Sequence, residues 1–135
     1  MINVNIKKGM KAMNVRKYIK NNILLFDGAM GTMLQDKGLK IGENSEVFGY
    51  KNPEKLMEIH RLYLEAGSNI ITTNTFGANE LKLNKLGYTV EEIVDNAVSM
   101  AKKSIEKSDK SKPRFSFRYR TYRRNDGTYG HNEFL

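Results

Sequence analysis

The sequence predicts an α/β fold with parallel strands, about two βα units in extent, the N-terminal portion of an eight-stranded barrel. Three observations carry this expectation. Residues 23–26 and 69–76 are short runs with the apolar or β-branched composition of strands buried on both faces. Each is followed by residues at helical spacing, so strand and helix alternate. The stretch between the two runs is long enough for the crossover that parallel neighbours require. The chain has 135 residues, whereas an eight-stranded barrel takes roughly 250.

Taken in order, Ile23, Leu24, Leu25 and Phe26 stand between polar neighbours and end at Asp27-Gly28. Residues 29–36 suit a short helix that Gly38 stops. A polar loop holding Gly42, Asn44 and Ser45 runs to Asn52-Pro53-Glu54, which supplies a cap, a first-turn proline and a first-turn acid. Leu56, Ile59, Tyr63 and Ala66 then recur at helical spacing, and Gly67 closes that helix. Residues 69–76 form the second buried strand, and Gly77 and Ala78 open a helical stretch ending at Gly87. Thr89 to Glu92 has capping-box spacing. Behind it Ile93, Ala97, Ala101 and Ile105 form one apolar stripe, with Val94 and Val98 beside it. After Pro113 the chain starts like a third strand, then gathers Arg118, Arg120, Arg123 and Arg124 among tyrosines without helical or strand periodicity.

Composition narrows the function. The chain lacks cysteine, which excludes disulfides and thiolate metal sites built from its own residues. No apolar run approaches the roughly 18 residues of a membrane span. The first 20 residues are basic but lack the continuous apolar stretch of a secretory signal, so a soluble cytoplasmic protein is expected, with no membrane partner. The net charge of +8 belongs to the ends: residues 1–20 carry six basic and no acidic side chains, and residues 112–135 carry six basic against two acidic. A nucleic-acid domain would place those charges on a folded face, so no nucleic-acid partner is expected.

With these segments placed, "LLFDGAMGTMLQ", "NPEKLMEIHRLYLEAGSNIITTNTFGAN" and the "KL" before Gly87 resemble the start of the homocysteine S-methyltransferase family. The likeness is nearest to the amino-terminal homocysteine-binding domain of cobalamin-dependent methionine synthases and covers about residues 14–115. The resemblance implies a TIM (β/α)8 barrel in which zinc, held by three cysteines late in the domain, activates the thiol of homocysteine for methylation. The methyl group comes from methyltetrahydrofolate through cobalamin held in other modules. The carboxylate on the first strand accepts the substrate's ammonium group, a role that falls to Asp27. Backbone N–H groups of the following loop hold the substrate carboxylate, a role that falls to Gly28, Ala29 and Met30. Thr73 matches a substrate-contacting threonine, with Asn74 and Thr75 completing the motif. The zinc cysteines are absent, so neither zinc nor cobalamin is expected to bind this chain, no catalytic residue is assigned, and homocysteine should bind weakly or not at all.

The tail invites a further expectation. Codons can be chosen for residues 116–135 that, read from their second base, encode a sequence like the family's third strand and its "DIGP.GE" loop. The domain layout expected is therefore an N-terminal extension over residues 1–13, the partial barrel over 14–115, and an out-of-frame tail without a fold over 116–135.

Each site residue also has a plainer reading. Asp27 could be a helix N-cap. Gly28, Ala29, Met30 and Gly31 could be simple turn chemistry, and the loop is neither a Walker A sequence nor a GxGxxG fingerprint. Thr73, Asn74 and Thr75 could satisfy one another by hydrogen bonds as strand residues. His60 has no second ligand at metal spacing and reads as structural or partly exposed. Two rival functions remain open: a cobalamin-independent, betaine-type homocysteine S-methyltransferase, and a non-enzymatic interaction protein whose basic ends bind nucleic acid or an acidic partner.

Overall fold

The computed structural model describes residues 15–109 and 114 in full and the backbone of Phe115–Arg118 and Glu133–Phe134. The expected extension over residues 1–13 and most of the tail lie outside the described residues. A short helical turn, α1 (Val15–Tyr18), precedes α2 (Met30–Asp36), α3 (Ser45–Lys51) and α4 (Pro53–Glu65). Strand β1 (Ile70–Thr72) follows, then α5 (Glu80–Leu83), a 3-10 turn over Asn84–Leu86, and α6 (Val90–Glu106). Strands β2 (Phe115–Arg118) and β3 (Glu133–Phe134) complete the order.

β1 and β2 pair in parallel with Ile70 opposite Phe115, and α6 packs on β2 while α4 packs on β1. This is the expected repeat of helix and parallel strand. The third strand begins where the sequence places it, and the boundary expected between residues 115 and 116 falls inside it. β3 adds an antiparallel pair, with Phe117 opposite Phe134, on the far side of β2.

The first apolar run departs from expectation. Phe26 makes one parallel bridge to Ile70, and residues 23–26 do not extend into a strand. The backbone still aligns in parallel, since the Asp27 N–H donates to Ile70 O at 2.9 Å and the Asn69 N–H to Leu25 O at 2.8 Å. The run is also exposed rather than buried: Ile23 is 83% accessible, Leu25 54% and Phe26 52%. Apolar strand faces are buried only where another layer packs on them, and here α4 and α6 lie over β1 and β2.

The helices show where local signals suffice. Thr89 caps α6 in a full capping box, its hydroxyl accepting the Glu92 N–H while the Glu92 carboxylate accepts the Thr89 N–H. Gly87 ends the preceding 3-10 turn at φ +80° and Gly67 follows α4 at φ +112°, conformations that side chains with a Cβ resist. Leu64, Ile71 and Ala101 make one core cluster, with Tyr63 and Ile105 against it. Val47, Ala78, Leu83, Ile93 and Val94 make the other.

Three boundaries differ. Residues 45–51, expected as loop, form α3, capped by the Asn44 side chain on the Val47 N–H at 2.8 Å. Asn52 stands at the N-cap position of α4, as expected, with its carbonyl accepting the Lys55 and Leu56 N–H groups, but its side chain makes no cap bond there and instead donates its amide back to Phe48 O at 2.9 Å, closing α3. The second strand ends at Thr72, because the Thr75 N–H folds back onto Thr73 O, and the next helix starts at Glu80 with Asn79 as its cap. Gly77 and Ala78 therefore lie in the turn between them.

Candidate functional site

Asp27 sits where the first apolar run ends, beside the end of β1. Its Oδ2 accepts the Thr72 N–H at 2.7 Å and its Oδ1 accepts the Thr72 hydroxyl at 2.8 Å. It is not the cap of α2: Ala29 occupies that position and makes no side-chain cap bond. Burial pushes the Asp27 carboxyl above its usual pKa, and the hydrogen bonds from the Thr72 N–H, the Thr72 hydroxyl and its own backbone pull it back. Both oxygens keep lone pairs beyond those Thr72 uses, so the group can still accept donors from a cation.

The loop after Asp27 is held from the helix side. Tyr63 on α4 donates its hydroxyl to Ala29 O at 2.9 Å and lies against Gly28. Gly28 and Ala29 are exposed and Met30 is half-buried at the first position of α2. Asp27, Gly28, Ala29 and Met30 are contiguous and form the turn that leads from beside the end of β1 into α2. The fifth expected residue, Thr73, is buried, and its hydroxyl pairs with that of Thr75 at 2.9 Å. The hydroxyl bonded to Asp27 is that of Thr72.

Around the turn after β1, Asn74 donates to Ser45 O at 2.8 Å. The buried Glu46 accepts the Gly77 N–H at 2.7 Å and the Ser45 hydroxyl at 3.0 Å. These bonds dock α3 onto the turn. Sequence reading missed Thr72, Tyr63 and Glu46. A signal existed for Glu46, since Asn44 followed by an acid in the first turn announces a helix start; the pairing of Thr72 with Asp27 spans 45 residues and has no local trace.

His60, expected to be structural or partly exposed, is fully buried on α4, and neither ring nitrogen has a hydrogen-bond partner among the described residues. Burial lowers its pKa to about 4, so the ring is neutral near pH 7. A cavity of about 610 Å³ lies between α4 and the end of α6, with Met57, Leu64, Ser104 and Arg114 in its wall. Its lining does not include Asp27, Thr72 or the loop after Asp27. No helix among the described residues is long and apolar enough to cross a membrane.

Together these features define a class: an α/β chain with parallel strands whose candidate chemistry gathers at the carboxyl end of a strand. A sequence profile described as homocysteine S-methyltransferase matches residues 24–123. The chain belongs to that family. Among its relatives are a methionine synthase of Mycobacterium leprae (strain TN), 39% identical over 75 residues, covering 51% of this chain and 6% of that protein. Betaine–homocysteine S-methyltransferase 1 of Bos taurus is 32% identical over 99 residues, covering 72% of this chain and 23% of that protein. The metallated homocysteine methyltransferase MmuM of Escherichia coli superposes with a TM-score of 0.65 at 22% identity, over 77% of this chain and 40% of that one. Its oxidised form gives the same TM-score of 0.65 at 24% identity. The chain thus spans well under half the length of these relatives, and the described residues share their α/β arrangement over that part.

Proposed function

We propose that residues 14–115 form the amino-terminal part of a homocysteine-binding (β/α)8 domain and that the loop after the first apolar run, from Asp27 to Met30, holds the amino-acid end of homocysteine. Asp27 accepts the α-ammonium group. The N–H groups of Gly28, Ala29 and Met30 receive the carboxylate, where small residues let the backbone approach an anion. The observation that carries this reading is the Asp27 carboxylate itself, fixed at the strand end by two bonds from Thr72. Thr72 and the backbone of Asp27 itself leave lone pairs on the carboxylate, and a ligand ammonium can donate to them.

The zinc that the family resemblance implies does not fit the residues of this chain. The chain has no cysteine, and the described residues contain no group of three His, Cys, Asp or Glu side chains able to hold a metal ion. The role proposed is therefore substrate binding, with thiol activation and methyl transfer resting on groups this chain does not supply. Methionine synthases and betaine-type enzymes both stand among the relatives. We favour the cobalamin-dependent class on the nearer sequence identity, with a cytoplasmic setting and neither a membrane nor a nucleic acid as partner.

Isothermal titration of L-homocysteine into the full chain tests the reading. An amino-acid clamp without a metal contact should bind with a Kd on the order of 1 mM, about −4 kcal/mol. Asp27→Asn should abolish the heat, and 4-mercaptobutanoate, which lacks the ammonium group, should not bind. Equal heats for wild type and Asp27→Asn would refute it.

A further inference from the structure

We infer that Tyr63 is a positioning residue for the substrate loop, setting the direction of the peptide that links Ala29 to Met30. The inference rests on the reading of that loop as the carboxylate clamp. Three observations meet at this side chain. Its hydroxyl donates to Ala29 O at 2.9 Å. The ring lies so close to Gly28 that a Cβ there would stand 2.9 Å from the hydroxyl oxygen and 3.0 Å from the nearest ring carbon. Its hydroxyl also lies within electrostatic reach of Asp27, whose charge, after burial, is the second cause raising the Tyr63 pKa.

The consequence follows from peptide geometry. The chain has no cis peptide among its described residues, so the carbonyl of Ala29 and the N–H of Met30 point in opposite directions from one plane. By drawing Ala29 O toward α4, Tyr63 turns the Met30 N–H away from α4. That N–H opens α2 and has no intrahelical acceptor, so it is available to a substrate carboxylate. Gly28 belongs to the same device: only a residue without a side chain lets the phenol reach the carbonyl beyond it. Tyr63 is itself anchored, since it packs against the cluster of Leu64, Ile71 and Ala101. A rigid phenol in a packed setting orients a loop at little entropic cost.

The experiment uses the full chain labelled with 13C and 15N, as wild type, Tyr63→Phe and Gly28→Ala. Without ligand, both variants should move the Ala29 carbonyl 13C and Met30 amide resonances, while the amides of α6 stay in place. With L-homocysteine, Tyr63→Phe should weaken binding by roughly tenfold, the cost of one lost orienting hydrogen bond. Its Asp27 carboxyl should still titrate as a buried group. Unmoved Ala29 and Met30 resonances in Tyr63→Phe would overturn the inference, as would moved resonances with unchanged homocysteine affinity. A wild-type chain that ignores homocysteine, with the Ala29 shift still present in Tyr63→Phe, would refute the substrate reading and reduce Tyr63 to a structural brace.

Discussion

Thr72 and Thr73 are adjacent, yet only one reaches Asp27. Alternation along an extended chain sends their side chains to opposite faces: Thr72 bonds the carboxylate, while Thr73 is buried against Thr75. Replacing Thr72 by Val removes a hydroxyl that lowers the Asp27 pKa. The carboxyl pKa of Asp27, followed by 13C NMR through a pH titration, should therefore rise further in Thr72→Val, and an unchanged value would show that the hydroxyl bond is absent in solution. His60 supplies a second prediction. Its folded-state pKa of about 4 lies below its ordinary value of 6.5, so the unfolded chain takes up a proton first. Stability contributed by the neutral ring is complete above pH 6.5 and is lost as pH falls toward 4, by on the order of 3 kcal/mol. Urea melts across that window should show the loss in the wild type and a much shallower one in His60→Leu. Of the site, Asp27 and its loop were legible because they form one unbroken stretch of sequence. Thr72, Tyr63 and the full burial of His60 were not, because each depends on which elements pack together.

Among the elements, the capping box of α6 was readable in advance because all its partners lie within four residues. Thr89→Ala should cost about 1 kcal/mol in thermal or chemical unfolding. Helix α3 was hidden by its glycine and polar flanks, and it proves to be a support for the turn after β1 through Glu46, Ser45 and Asn74. A Cβ at Gly77 would fall 2.9 Å from a Glu46 carboxylate oxygen. Gly77→Ala should therefore dislodge Glu46 and destabilise the chain by about 1–3 kcal/mol, the cost of stranding a buried polar group. Hydrogen exchange would locate the damage, with faster exchange at Val47 and Ala78 and little change in α6. The residues 23–26 mislead for the opposite reason. Their apolar composition is that of a buried strand, but burial depends on a covering layer, which composition does not report.

At the level of the whole chain, large apolar residues are exposed in the first run and in the turn after β1, with Ile23 83% and Phe76 71% accessible. Open apolar faces favour self-association. Light scattering during gel filtration should show a mass that rises with protein concentration, and Ile23→Lys should reduce it. The fold class was legible from alternation alone, whereas the number of residues that β1 and β2 actually pair depends on contacts between distant segments.

The most direct measurement is an amide chemical-shift map of the full chain titrated with L-homocysteine and, separately, with 4-mercaptobutanoate. Saturable shifts should centre on Asp27, Gly28, Ala29 and Met30 with homocysteine, and be absent with the analogue that lacks the ammonium group. Shifts of equal size with both ligands, or shifts that survive Asp27→Asn, would contradict the assignment of Asp27 as the ammonium acceptor.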